Sequence, residues 1–269
     1  MLRERIAAIG LPRQQWSAGG LAARLRSKLR QRGWEIRRTD PDRSLAEHLW
    51  FLFPHLGVTC VLDVGAGTGE YGEFLRRNGY TGAIISFEPV AESFRQLARR
   101  CATDPRWRAY PFALGSTSTT RDINVTRDRR YASFLRPTDH TLQTFPASTV
   151  ERTEPVEVRQ LDDVWDEVLG QLAAPGVFLK VTTQGSELDV LRGAAGHLGS
   201  VAGLQAELSL CPLYEGAAAF TDALATLSAA GFGVSGLFDR PHHHDFRLGE
   251  VDCVMTRVAD NQRQIRRRW

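Results

Sequence analysis

Residues 61–75 read VLDVGAGTGEYGEFL, and the fold turns on how this stretch divides. Residues 59–64, TCVLDV, are almost wholly apolar, the pattern of a parallel strand covered on both faces. Three glycines follow in five residues, Gly65, Gly67 and Gly69. Residues 69–79, GEYGEFLRRNG, then carry a helical pattern closed by Gly79. A strand that enters a helix through glycines brings backbone N–H groups to the helix start, where a ligand can bond to them.

The rhythm continues on both sides. Upstream, Ser44 and Glu47 form a capping box for a helix that Pro54 is expected to stop. Downstream, residues 82–89, 107–115, 176–181 and 201–208 read as strands, and 91–101, 162–172, 186–198 and 217–231 as helices. Alternation of this kind predicts a doubly wound parallel sheet. Two strands, 232–238 and 250–257, close the pattern with DRPHHHDFRLG between them and no helix, so they should pair antiparallel. The expected fold is an α/β, Rossmann-like, seven-stranded, mainly parallel sheet with an antiparallel last strand. Residues 46–258 form the domain, and a basic helical extension, residues 1–45, precedes it. Within the domain, 116–160 reads as an inserted lid: a strand or hairpin, an irregular loop, and a strand returning at 156–161. A basic tail, 259–269, follows.

Composition narrows the class. Hydrophobic residues at 42% and charged residues at 24% are ordinary for a soluble globular protein. No apolar run is long enough for a membrane span, and no secretory leader is visible, so a cytoplasmic protein is expected. The four cysteines, Cys60, Cys101, Cys211 and Cys253, form no CxxC and predict neither a disulfide framework nor a zinc site. A net charge of +3 does not call for a nucleic-acid partner. Basic residues do crowd the two ends; RLRSKLRQRGWEIRR, with Leu21, Leu25 and Leu29 on one face, reads either as a helix docked on the core or as a peripheral contact with a membrane surface or an acidic partner.

The glycine turn discriminates between cofactors. GAGTG is a GxGxG, and Glu70 stands where the dinucleotide fingerprint requires a small residue. Glu70 would also face a pyrophosphate. The turn therefore argues for a ligand without phosphates, and S-adenosylmethionine is one. Its ribose diol needs a carboxylate at the end of the second strand, and Glu88 occupies that place.

On the segments VLDVGAGTGEYGEFLRRNGY, SFEPV, ALG, LDDV, FLKVTTQGSELDVLRGA, ELSLCPLYEG and EVDCV, the sequence resembles the FkbM family of methyltransferases over roughly residues 45–257. The resemblance implies an S-adenosylmethionine-dependent enzyme that methylates hydroxyl oxygens of sugars, glycans or secondary metabolites. It implies a cofactor site made of Asp63, Gly65, Ala66, Gly67, Glu88, Pro89, Ala113 and Leu114. The chain departs from the family pattern twice. Gly67 stands where the family has Asn, and Thr182 where it has Asp at the end of the fourth strand. An acid there can orient substrate, take a proton or hold a divalent metal; a threonine hydroxyl orients only. Metal use stays open, and no metal ligands are assigned. An impaired or non-catalytic S-adenosylmethionine-binding protein is the alternative.

Methyl transfer to an alcohol needs a base beside the acceptor oxygen. Glu207, at the end of strand 201–208, is the leading candidate, with Gln184 and Thr182 as hydroxyl contacts and His140 as a base reaching over from the insertion. Lys180, inside an apolar strand, must pair with a carboxylate, Glu207 or Asp63. Asp63 is expected to steady the glycine loop. Ser133 and Phe134 read as part of the lid, and Pro212, Tyr214 and Glu215 as a wall of the acceptor pocket. The triplet His242, His243 and His244 reads as a solvated turn.

Overall fold

The computed structural model describes residues 44–172, 175–239 and 249–258. These belong to a compact unit spanning Asp40–Trp269; a second unit, Met1–Thr39, lies outside the described residues, as do the basic N-terminal segment, the triple histidine and the tail from residue 259.

The first helix, α1 (Leu45–Leu56), begins as expected: the Ser44 hydroxyl accepts the Glu47 N–H at 3.2 Å. Pro54 does not stop it. The proline sits in the last turn, where only one backbone bond is lost, and Gly57 closes the helix in the left-handed region at φ 65.

Seven strands form the main sheet: β1 (Cys60–Val64), β2 (Ala83–Phe87), β3 (Trp107–Tyr110), β7 (Val177–Val181), β8 (Val201–Ser209), β9 (Phe232–Asp239) and β10 (Glu250–Arg257). Their order is β3-β2-β1-β7-β8-β10-β9. The pairs among β3, β2, β1, β7 and β8 are parallel, and β10 runs antiparallel between β8 and β9. β9 pairs antiparallel with β10, as expected, and takes the edge of the sheet.

Helices α2 (Glu70–Arg77) and α3 (Ala91–Cys101) join α1 in the layer that packs Leu49, Phe53, Leu75 and Leu97 against Val61, Ile84 and Phe178. On the opposite face α5 (Leu161–Leu169), α6 (Glu187–Arg192) and α7 (Phe220–Ala229) cover Leu62, Leu179, Leu204 and Met255. α6 is shorter than the pattern predicted and gives way to turns after Arg192.

The expected strand at 107–115 is two strands. β3 stops before Pro111, which has no N–H for a ladder, and β4 (Ala113–Leu114) joins a separate sheet of order β4-β6-β5. There β5 (Thr119–Thr126) and β6 (Val150–Arg159) pair antiparallel around Ile123, Val125, Val156 and Val90, a small core of their own. The returning strand is thus longer than residues 156–161. The connection also contains a short helix, α4 (Asp139–Thr144), which six residues of polar sequence gave no period to predict.

The face of the main sheet toward α2 carries an unusual row. Ser86, Asp63, Lys180 and Gln205 lie in register on four neighbouring strands, each no more than 5% exposed. Lys180 pairs with Asp63 at 2.8 Å, and Ser86 donates to the other Asp63 oxygen at 3.2 Å while accepting from the Trp107 indole at 3.0 Å. At the far end Gln205 accepts from the Tyr71 hydroxyl at 2.8 Å and donates to Asp252 at 2.9 Å. Burial pushes the Tyr71 phenol well above its ordinary value, so it stays a donor.

Candidate functional site

The carboxyl ends of the parallel strands open into a cleft of about 550 Å³. The turn after β1 forms its floor. Gly65, Gly67 and Gly69 have φ of 73, 57 and 101. At Gly65 the reason is close approach as well as conformation: a Cβ there would lie 2.0 Å from the Thr182 carbonyl oxygen. The turn is held from both sides, since the Gly65 and Ala66 N–H groups donate to the Phe87 carbonyl and Lys180 donates to the Gly65 carbonyl at 3.2 Å.

Glu88 lies at the end of β2, 6% exposed, and lines the cleft. One carboxylate oxygen accepts the Gly67 N–H and the other the Val90 N–H, both at 2.8 Å. Burial pushes its carboxyl up to about 8, outweighing those two bonds and the nearby Lys180 ammonium, which favour the charged form. Glu70, which also lines the cleft, accepts the Thr68 N–H.

Gly65, Ala66, Gly67, Glu88, Pro89, Ala113 and Leu114 all line this cleft, as do Thr182, Gln184 and Glu207. Two sequence candidates stand apart. Asp63 is fully buried beneath the turn, engaged with Lys180 and Ser86, and does not line the cleft. His140 is exposed on α4 and is not brought to the cleft. Lys180 chose Asp63 of its two candidate partners, the residue directly opposite it in register.

The acceptor end is built from three loops. Thr182 follows β7, and Glu207, 4% exposed, lies near the end of β8. Between them Gln184 holds a left-handed backbone at φ 56, which costs a non-glycine residue about 1 kcal/mol. Its side-chain N–H₂ donates to Glu207 at 3.2 Å, and its side-chain oxygen accepts the Tyr214 hydroxyl at 2.8 Å. Ser133, from the insertion, donates to the Gln184 carbonyl at 2.7 Å. Tyr214 therefore stands behind Gln184 rather than in the cleft wall, whereas Ser133 and Phe134 do line the cleft.

Sequence reasoning missed Glu187. Its Oε1 accepts the N–H groups of Thr183 and Gly185, at 2.9 and 3.2 Å, and so fixes the turn that carries Gln184. Burial raises its carboxyl, and those bonds pull it back. A glutamate just inside a helix start, four residues after a threonine, was the available signal. Glu250, Arg129, Arg130 and Tyr131 also line the cleft without having been singled out. Among the described residues, no three His, Cys, Asp or Glu side chains are grouped to share a metal ion.

S-adenosylmethionine fits this cleft. A buried carboxyl group for a ribose diol stands against the glycine turn that lines the cleft, and Pro89, Ala113, Leu114 and Ile123 offer apolar surface for a purine. The methyltransferase FkbM domain matches residues 63–234. Methyltransferase FkbM from Methylobacillus flagellatus KT aligns at 18% identity and a TM-score of 0.43, over 74% of this chain and 43% of that one, so this chain spans less than half the length of that relative. Fibrillarin from Aeropyrum pernix, in complex with natively bound S-adenosyl-L-methionine, aligns at 9% identity and a TM-score of 0.42, over 74% of this chain and 66% of that one. No curated protein matches. With the family match covering well over half its length, the chain belongs to the FkbM family of S-adenosylmethionine-dependent methyltransferases.

Proposed function

We propose that this chain methylates a hydroxyl oxygen of a sugar, glycan or secondary metabolite. The observation that carries the reading is Glu207, a buried carboxylate near the end of β8 that faces the same cleft as the glycine turn. Bound S-adenosylmethionine supplies an electrophilic methyl carbon on a sulfonium that is already a good leaving group. Gly65, Ala66 and Gly67 would line its amino-acid end, Glu88 would accept from its ribose hydroxyls, and Pro89, Ala113 and Leu114 would pack on its base. Glu207 would take the proton from the acceptor hydroxyl as that oxygen bonds to the methyl carbon and the methyl–sulfur bond breaks, its electron pair leaving on sulfur as S-adenosylhomocysteine. Gln184 keeps Glu207 in place, and Thr182 contacts the acceptor.

The catalytic domain is assigned to residues 46–258, with 116–160 as its lid. No described helix is long and apolar enough to cross a membrane, and all four cysteines are free, which supports a cytoplasmic setting. The test is transfer of labelled methyl from S-adenosylmethionine to a panel of sugars, oligosaccharides and hydroxylated metabolites. Glu207→Gln is expected to lower turnover by about a hundredfold or more while leaving cofactor affinity intact; equal turnover would remove Glu207 from the chemistry. One observation favours a second reading: Thr182 offers no base at the end of β7. Tight S-adenosylhomocysteine binding with no turnover on any acceptor, restored by Thr182→Asp, would make the native chain an impaired or non-catalytic binder.

A further inference from the structure

We propose that Tyr214 is a positioning residue that strengthens the orientation in which the Gln184 amide donates to Glu207, and that it ties this support to the seating of the insertion. The inference rests on the reading of Glu207 as the base.

The Gln184 amide lies between two partners of different character. Glu207 Oε2 is 3.2 Å from the amide nitrogen, and the Tyr214 hydroxyl is 2.8 Å from the amide oxygen. An ionised carboxylate only accepts, so it demands the N–H₂ end. A tyrosine hydroxyl both donates and accepts, so it could satisfy either end. Its single proton has two acceptors within reach: the Gln184 side-chain oxygen and, at 3.1 Å, the Tyr131 carbonyl of the insertion. When the proton points at Gln184, the amide is locked with its donors toward Glu207. When it points at Tyr131, the amide is free to turn its oxygen toward the base, which an ionised Glu207 repels. Tyr214 thus decides how firmly the amide is held in the orientation that serves a base.

The surroundings make Tyr214 a fixed reference rather than a mobile side chain. It is 3% exposed, and burial raises its phenol far above the ordinary value, so the proton stays on. Its loop is sewn to the insertion: Thr138 donates its N–H to the Leu213 carbonyl at 2.9 Å, Glu215 donates its N–H to the Arg136 carbonyl at 2.9 Å, and Thr141 donates its hydroxyl to Leu213 at 2.6 Å. Ser133, on the same insertion, grips the Gln184 backbone. Insertion, Tyr214 and Gln184 are therefore bonded into one assembly, so on this proposal the seating of the insertion supports the orientation that serves Glu207.

The test does not need the acceptor. The side-chain amide signals of Gln184 are identified in ¹⁵N-labelled protein by their loss in Gln184→Ala. In the wild type, the two amide protons are expected to keep separate shifts, one moved downfield by the Glu207 carboxylate. In Tyr214→Phe, that downfield proton is expected to move measurably back toward the range of an unbonded amide, with S-adenosylhomocysteine affinity changed by less than about twofold. Once an acceptor is found, turnover of this variant should fall about tenfold. Unchanged Gln184 signals in Tyr214→Phe would overturn the proposal. So would an averaged, exchange-broadened pair in the wild type, a measurement that needs no variant to fold. A positive amide result with no methyl transfer to any acceptor would leave Tyr214 in place and sink the reading of the enzyme instead.

Discussion

Cofactor binding should depend on pH through Glu88. Its carboxyl, buried at the end of β2, titrates at about 8. At pH 7 only about a tenth of the molecules carry it ionised, a penalty of ~1.4 kcal/mol relative to a fully ionised site. A ribose diol donates hydrogen bonds, and these favour the charged carboxylate. Binding at pH 7 should therefore expel close to one proton, and affinity should rise about tenfold between pH 7 and 9 as the free protein ionises. The sign runs the other way for folding. A raised carboxyl favours the native state below its ordinary value of 4.5, and that contribution is lost as the pH climbs toward 8. The assay is calorimetric titration with S-adenosylhomocysteine at pH 6.5, 7.5 and 8.5, in buffers of different ionisation enthalpy. Glu88→Gln is the control. It should flatten the pH dependence and weaken binding at pH 8.5 by about 1–3 kcal/mol. A wild-type affinity that is flat over this range, with no proton released, would refute the argument and remove Glu88 from the ribose site.

Two further predictions concern the frame beneath the cleft. Lys180→Met leaves Asp63 charged, fully buried and without its ammonium, and should lower stability in urea unfolding by about 3–5 kcal/mol; a loss under 1 kcal/mol would mean that Ser86 alone satisfies the carboxylate. Gly65→Ala combines a left-handed backbone with a Cβ driven into the Thr182 carbonyl, and should cost about 3 kcal/mol and abolish S-adenosylhomocysteine binding at micromolar concentrations; wild-type binding would show that the turn relaxes freely.

The central strands and the glycine turn were legible because their signals are local. An apolar run ending in GAGTG has few readings, and a sequence between 232–238 and 250–257 with no helical pattern pointed to the antiparallel end of the sheet. The Lys180 pairing was legible too, since a buried ammonium must find an acid. What failed depended on three dimensions. Pro54 costs a backbone bond wherever it sits in a helix, and here the helix runs only two residues past it, His55 and Leu56, before Gly57 closes it. The break at Pro111 separates two sheets that the sequence runs together. His140 lies in the right segment, but α4 turns it to the outside. Tyr214 was read as acceptor wall and Ser133 as lid from their segments, yet nothing in either segment says that they converge on Gln184 from positions 81 residues apart in sequence.

The polar row across Ser86, Asp63, Lys180 and Gln205 bears on how the chain finds its sheet. Parallel strands made almost wholly of aliphatic residues align poorly by hydrophobicity alone, because a slipped strand still buries oil against oil. Here a slip of one residue in β7 would turn Lys180 to the opposite layer, among Leu62 and Leu204, and strand Asp63 without a counter-charge. Each mispaired sheet then carries a naked ion in its interior, a defect of several kcal/mol. The four side chains act as an alignment key that makes wrong registers unstable before any ligand arrives, and the glycine turn inherits its position from that selection.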